Sequence, residues 1–304
     1  MAVINTGLLA SGLRSEFFAR LEAVKALYPM LSMRVPSTKD SESFRWLGSL
    51  GQMREFGTGR VARGLRAEKY DVASKKYEFT LEVDRDELSD DQTGQIAIRV
   101  AEMAQWAATH KDYLIGLLLA NGAAADALCY DGLPFFSAAH VSGSSGSQTN
   151  SLTYDVTTPS NATTAEMKEA IKQAVATMLA YKNDQGQPAN LAMSGLKVLV
   201  PPNLYFAAAE ALNARLIGNT DNMLAGVAEP VSFPFLTATD TFYLLKVDGA
   251  QKPFIFQDRE PIEFTSLAEN SSEEFLREKY YYGVRARYAM AYGPWSLAVK
   301  TQLV

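Results

Sequence analysis

Two histidines and a single cysteine bound the chemistry open to this chain of 304 residues. Cys129 and His140 flank the run CYDGLPFF, close enough in sequence for a thiolate nucleophile and an imidazole base to meet. No neighbouring residue stands out as the third group that would orient such a base. The preferred reading makes Cys129 a small apolar filler and His140 a loop residue, with the dyad kept as the basis of a cysteine-dependent enzyme. His110 falls beside Ala107, Ala108 and Lys111 in a helical pattern and is expected at a solvent edge. Asp84, Asp86, Glu87, Asp90 and Asp91 supply the oxygen ligands that hard cations prefer, but without the glycine-punctuated spacing of a calcium loop. A solvated turn carrying helix-start charges is the better account of them. No catalytic residue, metal site or cofactor is expected.

A different kind of chemistry is concentrated between Phe44 and Tyr70. Here Arg45, Arg54, Arg60, Arg63, Arg66 and Lys69 stand against only Glu55 and Glu68, with Gly48, Gly51, Gly57, Gly59 and Gly64 between them. The run from Gly57 to Gly64 has no Gly-Lys-Ser/Thr ending and joins no clear strand to a helix, which argues against a phosphate loop. A segment this long that is too poor in apolar residues to pack its own core usually serves a function or a partner. Guanidinium groups suit bidentate contact with carboxylates, so Arg54, Arg60, Arg63 and Arg66 become candidates for contacts with a neighbouring subunit. A nucleic-acid-binding module using the same basic strip is the alternative.

The rest of the composition narrows the class. A hydrophobic content of 47% supports a substantial core, and a net charge of -5 argues against a dedicated nucleic-acid binder. One cysteine permits no intrachain disulfide. The N-terminus lacks the pattern of a secretory signal, and the densest apolar run, Tyr113 to Ala120, is far short of the roughly 20 residues that cross a bilayer. A soluble protein with no membrane contact is expected.

These segments need elements to position them. Leu9, Leu13, Phe17, Leu21, Val24 and Leu27 share one face of a helix over 8–31, ended by Pro29 and followed by an extended link to Pro36. This helix could pack on its own body or on another copy. Tyr77, Phe79, Leu81 and Val83 alternate with polar residues and predict a half-buried strand. The acidic run turns the chain into a long helix over about 90–121, with Ile96, Val100, Met103, Ala107, Leu114, Leu117 and Leu118 inward and a left-handed stop at Asn121-Gly122. At 1.5 Å per residue it would form a rod of roughly 45 Å. Residues 122–159 read as irregular, with Ser142 to Gln148 a flexible surface loop. Thr163 and Glu166 form a capping box for a helix ending near Asn183 and Gly186. A buried strand over Leu196 to Val200 and a helix from Pro201-Pro202 to about Leu216 complete a mixed α/β lobe. Strands follow over Phe242 to Val247, Phe254 to Gln257, Ile262 to Leu267 and Phe275 to Tyr292, and their return could pair with Tyr77 to Val83 over the long helix.

Trp46 to Glu55 (WLGSLGQMRE), Arg63 to Ala67 (RGLRA), Lys75 to Leu88 (KKYEFTLEVDRDEL) and Tyr130 to Phe136 (YDGLPFF) together resemble the major head subunit of Mu-like phages and prophages. The resemblance spans most of the first 140 residues and agrees in element order beyond them. It implies an α+β chain with the major capsid protein fold of tailed phages and herpesviruses. The expected parts are an N-terminal arm (1–40), an extended loop (41–88), a peripheral domain with a spine helix (89–160 and 255–304) and an axial domain (161–254).

By that resemblance the chain is a shell protein and not an enzyme. Copies would form hexamers and pentamers of an icosahedral head enclosing double-stranded DNA without sequence-specific binding. The N-terminus has no room for a long charged scaffold segment, so a separate scaffold protein and the portal are the expected partners. Assembly would take place in the bacterial host cytoplasm, with the finished protein in the virion.

Overall fold

The computed structural model describes residues 6–44, 70–90, 94–189, 192–217, 220–268 and 271–304. Arg54, Arg60, Arg63 and Arg66, and the glycines from Gly57 to Gly64, lie outside the described residues.

The chain opens with α1 (Thr6–Ala23), which is shorter than its apolar periodicity predicts. The cause lies far away in sequence. The carboxylate of Asp112 accepts the backbone N–H groups of Leu27 (2.9 Å) and Tyr28 (2.6 Å), starting the new helix α2 (Tyr28–Leu31) at a point where Pro29 fits the first turn. Burial raises the pKa of Asp112, partly opposed by those two N–H bonds. The chain then enters β1 (Ser32–Pro36). The arm packs on its own body: Leu13 and Phe17 are buried with Val100, Met103 and Ala104, and the Phe17 ring lies 5.1 Å from that of Phe264.

Next come β2 (Ser41–Phe44), β3 (Tyr70–Ala73), β4 (Lys75–Asp84), α3 (Arg85–Asp90) and α4 (Gln95–Asn121). The acidic run is thus a short helix of its own, and Gly94, in the left-handed region at φ 72°, separates it from the spine. The spine has 27 residues, so it is about 40 Å long. Its stop is not left-handed. Gly122 has φ -62°, and its lack of a side chain serves a close approach: a Cβ there would stand 2.7 Å from the Phe136 ring.

Beyond the spine lie β5 (His140–Val141), β6 (Ser147–Gln148), β7 (Ser151–Tyr154), α5 (Thr164–Leu179), β8 (Leu196–Val200) and α6 (Tyr205–Asn213). The low-complexity run is a packed turn of the β5–β6 hairpin. Ser145 is buried, its hydroxyl accepts the Ser142 N–H, and Gly143 (φ 59°) sits so close to the Asp184 carbonyl that a Cβ would meet it at 2.4 Å. The Thr163–Glu166 capping box is complete, and Glu166 also accepts the Thr157 N–H. The N–H and hydroxyl groups of Thr157 and Thr163 hold its carboxyl at about 2. α5 nevertheless stops at Leu179, and α6 ends before Leu216.

The last part comprises β9 (Leu216–Ile217), β10 (Thr220–Asp221), β11 (Glu229–Ser232), β12 (Thr241–Lys246), β13 (Phe254–Leu267), α7 (Ser272–Arg277), β14 (Lys279–Tyr292) and β15 (Ala298–Leu303). The two strands expected over 254–267 are one, with register shifts between Asp258 and Glu263 around Pro261, which has no N–H for the ladder. Phe275 is not in the final long strand. It belongs to α7, where the Ser271 hydroxyl caps the Glu274 N–H.

Among the described residues two larger sheets organise these elements. One has the order β1-β13-β14-β4, with β1 parallel to β13 and the other neighbours antiparallel. The expected return onto Tyr77 to Val83 is present, with Tyr77 opposite Ala286 and Val83 opposite Tyr280. The other has the order β11-β8-β12-β15-β7, packed against α5 and α6. β7 and β15, which the sequence reading grouped with the spine helix, pair here instead.

The spine serves both units. Its first half buries Val100 and Met103 with α1 and the first sheet, while Ile115 and Leu119 enter the core of the second. Gly116 fixes the distance between them, since a Cβ there would lie 2.6 Å from the Phe235 carbonyl oxygen and 2.8 Å from the Phe235 Cβ. Backbone cannot swing aside as a flexible side chain can. Gly116→Ala is therefore expected to destabilise the chain by about 1–3 kcal/mol, despite alanine's better helix propensity. A urea unfolding midpoint equal to that of the wild type would show that the turn at Phe235 yields.

Candidate assembly surfaces

The residues that could have formed a catalytic dyad are locked into the core. Cys129 is buried, its thiol donates to the Gly293 carbonyl (3.4 Å), and burial followed by the charge of Asp131 raises its pKa far above the thiol range. His140 is fully buried rather than in a loop. Its Nδ1 lies 2.6 Å from the Asp131 carboxylate and its Nε2 lies 3.3 Å from the Phe135 carbonyl, so both nitrogens face acceptors. The ring stacks on Trp295 at 4.2 Å. Asp131 is the orienting group that sequence reasoning missed, and its position in the same run as His140 was the available signal. With Nε2 turned to a backbone carbonyl, the pair builds structure. Asn150 extends it, accepting the Ser137 N–H and donating to the carbonyls of Phe135 and Trp295.

His110 is at an edge but is not merely solvated. It is half-buried against Tyr77 (ring centroids 4.6 Å apart), with Nδ1 2.7 Å from the Tyr288 hydroxyl. Of the acidic cluster, Asp84 accepts the Asp86 N–H within the turn. No group of metal-ligating side chains occurs among the described residues, and none of their helices is long and apolar enough to cross a membrane.

The basic segment is bracketed in sequence by two paired strands. β2 and β3 pair antiparallel on either side of residues 45–69, and Phe44 and Val72 are buried against Ile255, Ala289 and Ala291. Beside this pair the Asp40 carboxylate meets Arg287 (2.5 Å) and Arg259 (3.3 Å), while its carbonyl accepts the Ser74 N–H. Several large apolar side chains on the body are exposed. Phe206 and Met223 stand out from the second unit, Phe275 and Leu276 from the end of the β13–β14 hairpin. Phe79 and Trp106 border a cleft of about 170 Å³ between β4 and α4. The alternation in β4 pointed Phe79 inward with Val83, yet it is 52% exposed. Apolar surface of this kind, repeated at separate corners of one body, suits contact with other protein.

The family model described as Mu-like prophage major head subunit gpT matches residues 7–166, 160–236 and 237–303. The chain belongs to this family. The major capsid protein of Escherichia phage Mu is 26% identical over 96% of this chain and 71% of its own length. A Mu-like prophage major head subunit of Haemophilus influenzae is 22% identical over 94% of this chain and 70% of its own. Among solved structures, the procapsid of bacteriophage JBD30 is similar with a TM-score of 0.60 and 24% identity, covering 99% of this chain and 76% of that one. A virus-like particle from Pyrococcus furiosus shares the fold at only 10% identity, with a TM-score of 0.56 over 96% and 98% of the two chains. The chain is thus an α+β protein with the tailed-phage capsid fold. It is a major capsid protein that associates with copies of itself to form the shell of a phage head, a structural subunit of the virion and not an enzyme.

Proposed function

We propose that this subunit assembles into hexamers and pentamers that close into an icosahedral head around double-stranded DNA. The observation that carries the reading is the antiparallel pairing of β2 with β3, the strands on either side of residues 45–69 in sequence. In this reading 1–40 form the arm and 41–88 supply the extended loop, with β4 completing the sheet of the body. The peripheral domain comprises the first sheet and α4, and the axial domain comprises α5, α6 and the second sheet, β7 and β15 included. Arg54, Arg60, Arg63 and Arg66 reach carboxylates on the adjacent copy. A separate scaffold protein and the portal take part in the host cytoplasm. The net charge of -5 suits a container that holds DNA without binding its sequence.

Reversing two loop charges, Arg60→Glu with Arg63→Glu, is expected to abolish closed shells in negative-stain micrographs while the protomer keeps its wild-type circular dichroism and unfolding midpoint. Normal shells from that variant would remove the arginines from the interface. Steeply salt-dependent DNA binding by isolated protomers would instead favour a nucleic-acid role for the loop.

A further inference from the structure

We propose that His110 makes the joint between α4 and the β4–β14 pair sensitive to acid, because a proton on its imidazole places a second positive charge against the Tyr288 side chain, which Lys111 already contacts. The geometry is compact. His110 Nδ1 lies 2.7 Å from the Tyr288 hydroxyl, and the Lys111 ammonium stands 5.2 Å from the centre of the same ring and 4.6 Å from those of Tyr28 and Phe256. In the neutral ring protonated on Nε2, Nδ1 accepts the Tyr288 O–H. When Nδ1 is protonated as well, it becomes a donor and that hydroxyl must turn its hydrogen elsewhere in an aromatic cluster.

The groups around His110 do not neutralise the added charge. Tyr77 comes from β4 and Tyr288 from β14, both with pKa values raised chiefly by burial, and Tyr113 lies 5.9 Å away along α4. Glu78 also lines the cleft, with a carboxylate oxygen that accepts the Thr80 hydroxyl. The nearest cation, Lys111, interacts with Asp258, Arg34 and Asp112. Burial first, and Lys111 second, lower the His110 pKa. A histidine whose folded pKa is depressed leaves the unfolded chain binding more protons once pH drops below about 6.5, so its stability contribution is complete above that value. Stability then declines with falling pH until the folded pKa is passed. The joint affected is the one that lays the first half of the spine on the sheet, beside the cleft bordered by Phe79 and Trp106.

The test is the unfolding midpoint of the full chain at pH 7.5, 6.5 and 5.5, for wild type and His110→Gln. The wild type is expected to lose about 2 °C or more beyond any loss in the variant, most of it below pH 6.5. Parallel profiles would overturn the proposal. The chain has only two histidines, so a proton NMR titration gives an independent reading even if His110→Gln does not fold. One imidazole signal should titrate below the ordinary histidine value and move up in Lys111→Met. If no signal titrates there, or none responds to Lys111→Met, the inference fails.

Discussion

Phe135→Ala is expected to lower the unfolding free energy by about 3–5 kcal/mol, the cost of removing a large aromatic side chain from a site that cannot collapse around the space it leaves. Phe135 is fully buried, stacked on Tyr292 at 4.6 Å and packed against Phe136 at 4.9 Å and Phe254 at 5.9 Å. Tyr292 and Phe254 end the long strands of the first sheet, while Phe136 meets Gly122 at the foot of the spine and Tyr243 of the second sheet. The ring therefore sits where three parts of the molecule converge. Its carbonyl remains in the variant, so the bonds from Asn150 and toward His140 can persist and the loss reads packing alone. An unfolding free energy from urea titration within about 1 kcal/mol of the wild type would show that these rings repack.

Phe17→Ala is expected to act more locally and as strongly. The side chain is fully buried against Phe264 and holds α1 on the spine, so its removal forfeits about 3–5 kcal/mol of contact, capped by the free energy with which α1 docks. Hydrogen exchange should show α1 losing its protection while β8 and β12 in the second unit keep theirs. Unchanged exchange in α1 would mean that the helix is held by contacts other than Phe17. A variant that undocks α1 also tests how far shell assembly relies on an arm fastened to its own body.

Elements whose cause is local were legible in the sequence. The strand over Lys75–Asp84, the capping box at Thr163 and Glu166 and the long helix each rest on neighbours within one or two turns and each is present, although Phe79 and Leu117, read as inward, are exposed. What escaped were features imposed from a distance. Asp112 cuts the first helix from 85 residues away, and Phe136 rather than a left-handed turn accounts for Gly122. Asp184 packs Ser142 to Gln148 into order, and the ladder with β14 joins two apparent strands across Pro261. The packing around the histidines escaped for the same reason: their partners Tyr77, Tyr288 and Trp295 come from other elements. The shell function became legible through the resemblance of several motifs taken together, because an assembly surface has no internal chemistry to betray it.

The place of β15 in the second sheet bears on how that sheet holds together. It is the last strand in sequence, yet it lies inside the sheet, antiparallel to β12 on one side and parallel to β7 on the other. β7 has no other strand partner among the described residues, so its place in the sheet depends wholly on a strand far away in sequence. Without β15, β7 and β12 each keep a raw strand edge where one continuous sheet should be. Such edges invite aggregation and proteolysis. The topology thereby makes the second sheet all-or-none: β7 joins it only through β15, so loosening either face of β15 splits the sheet in two.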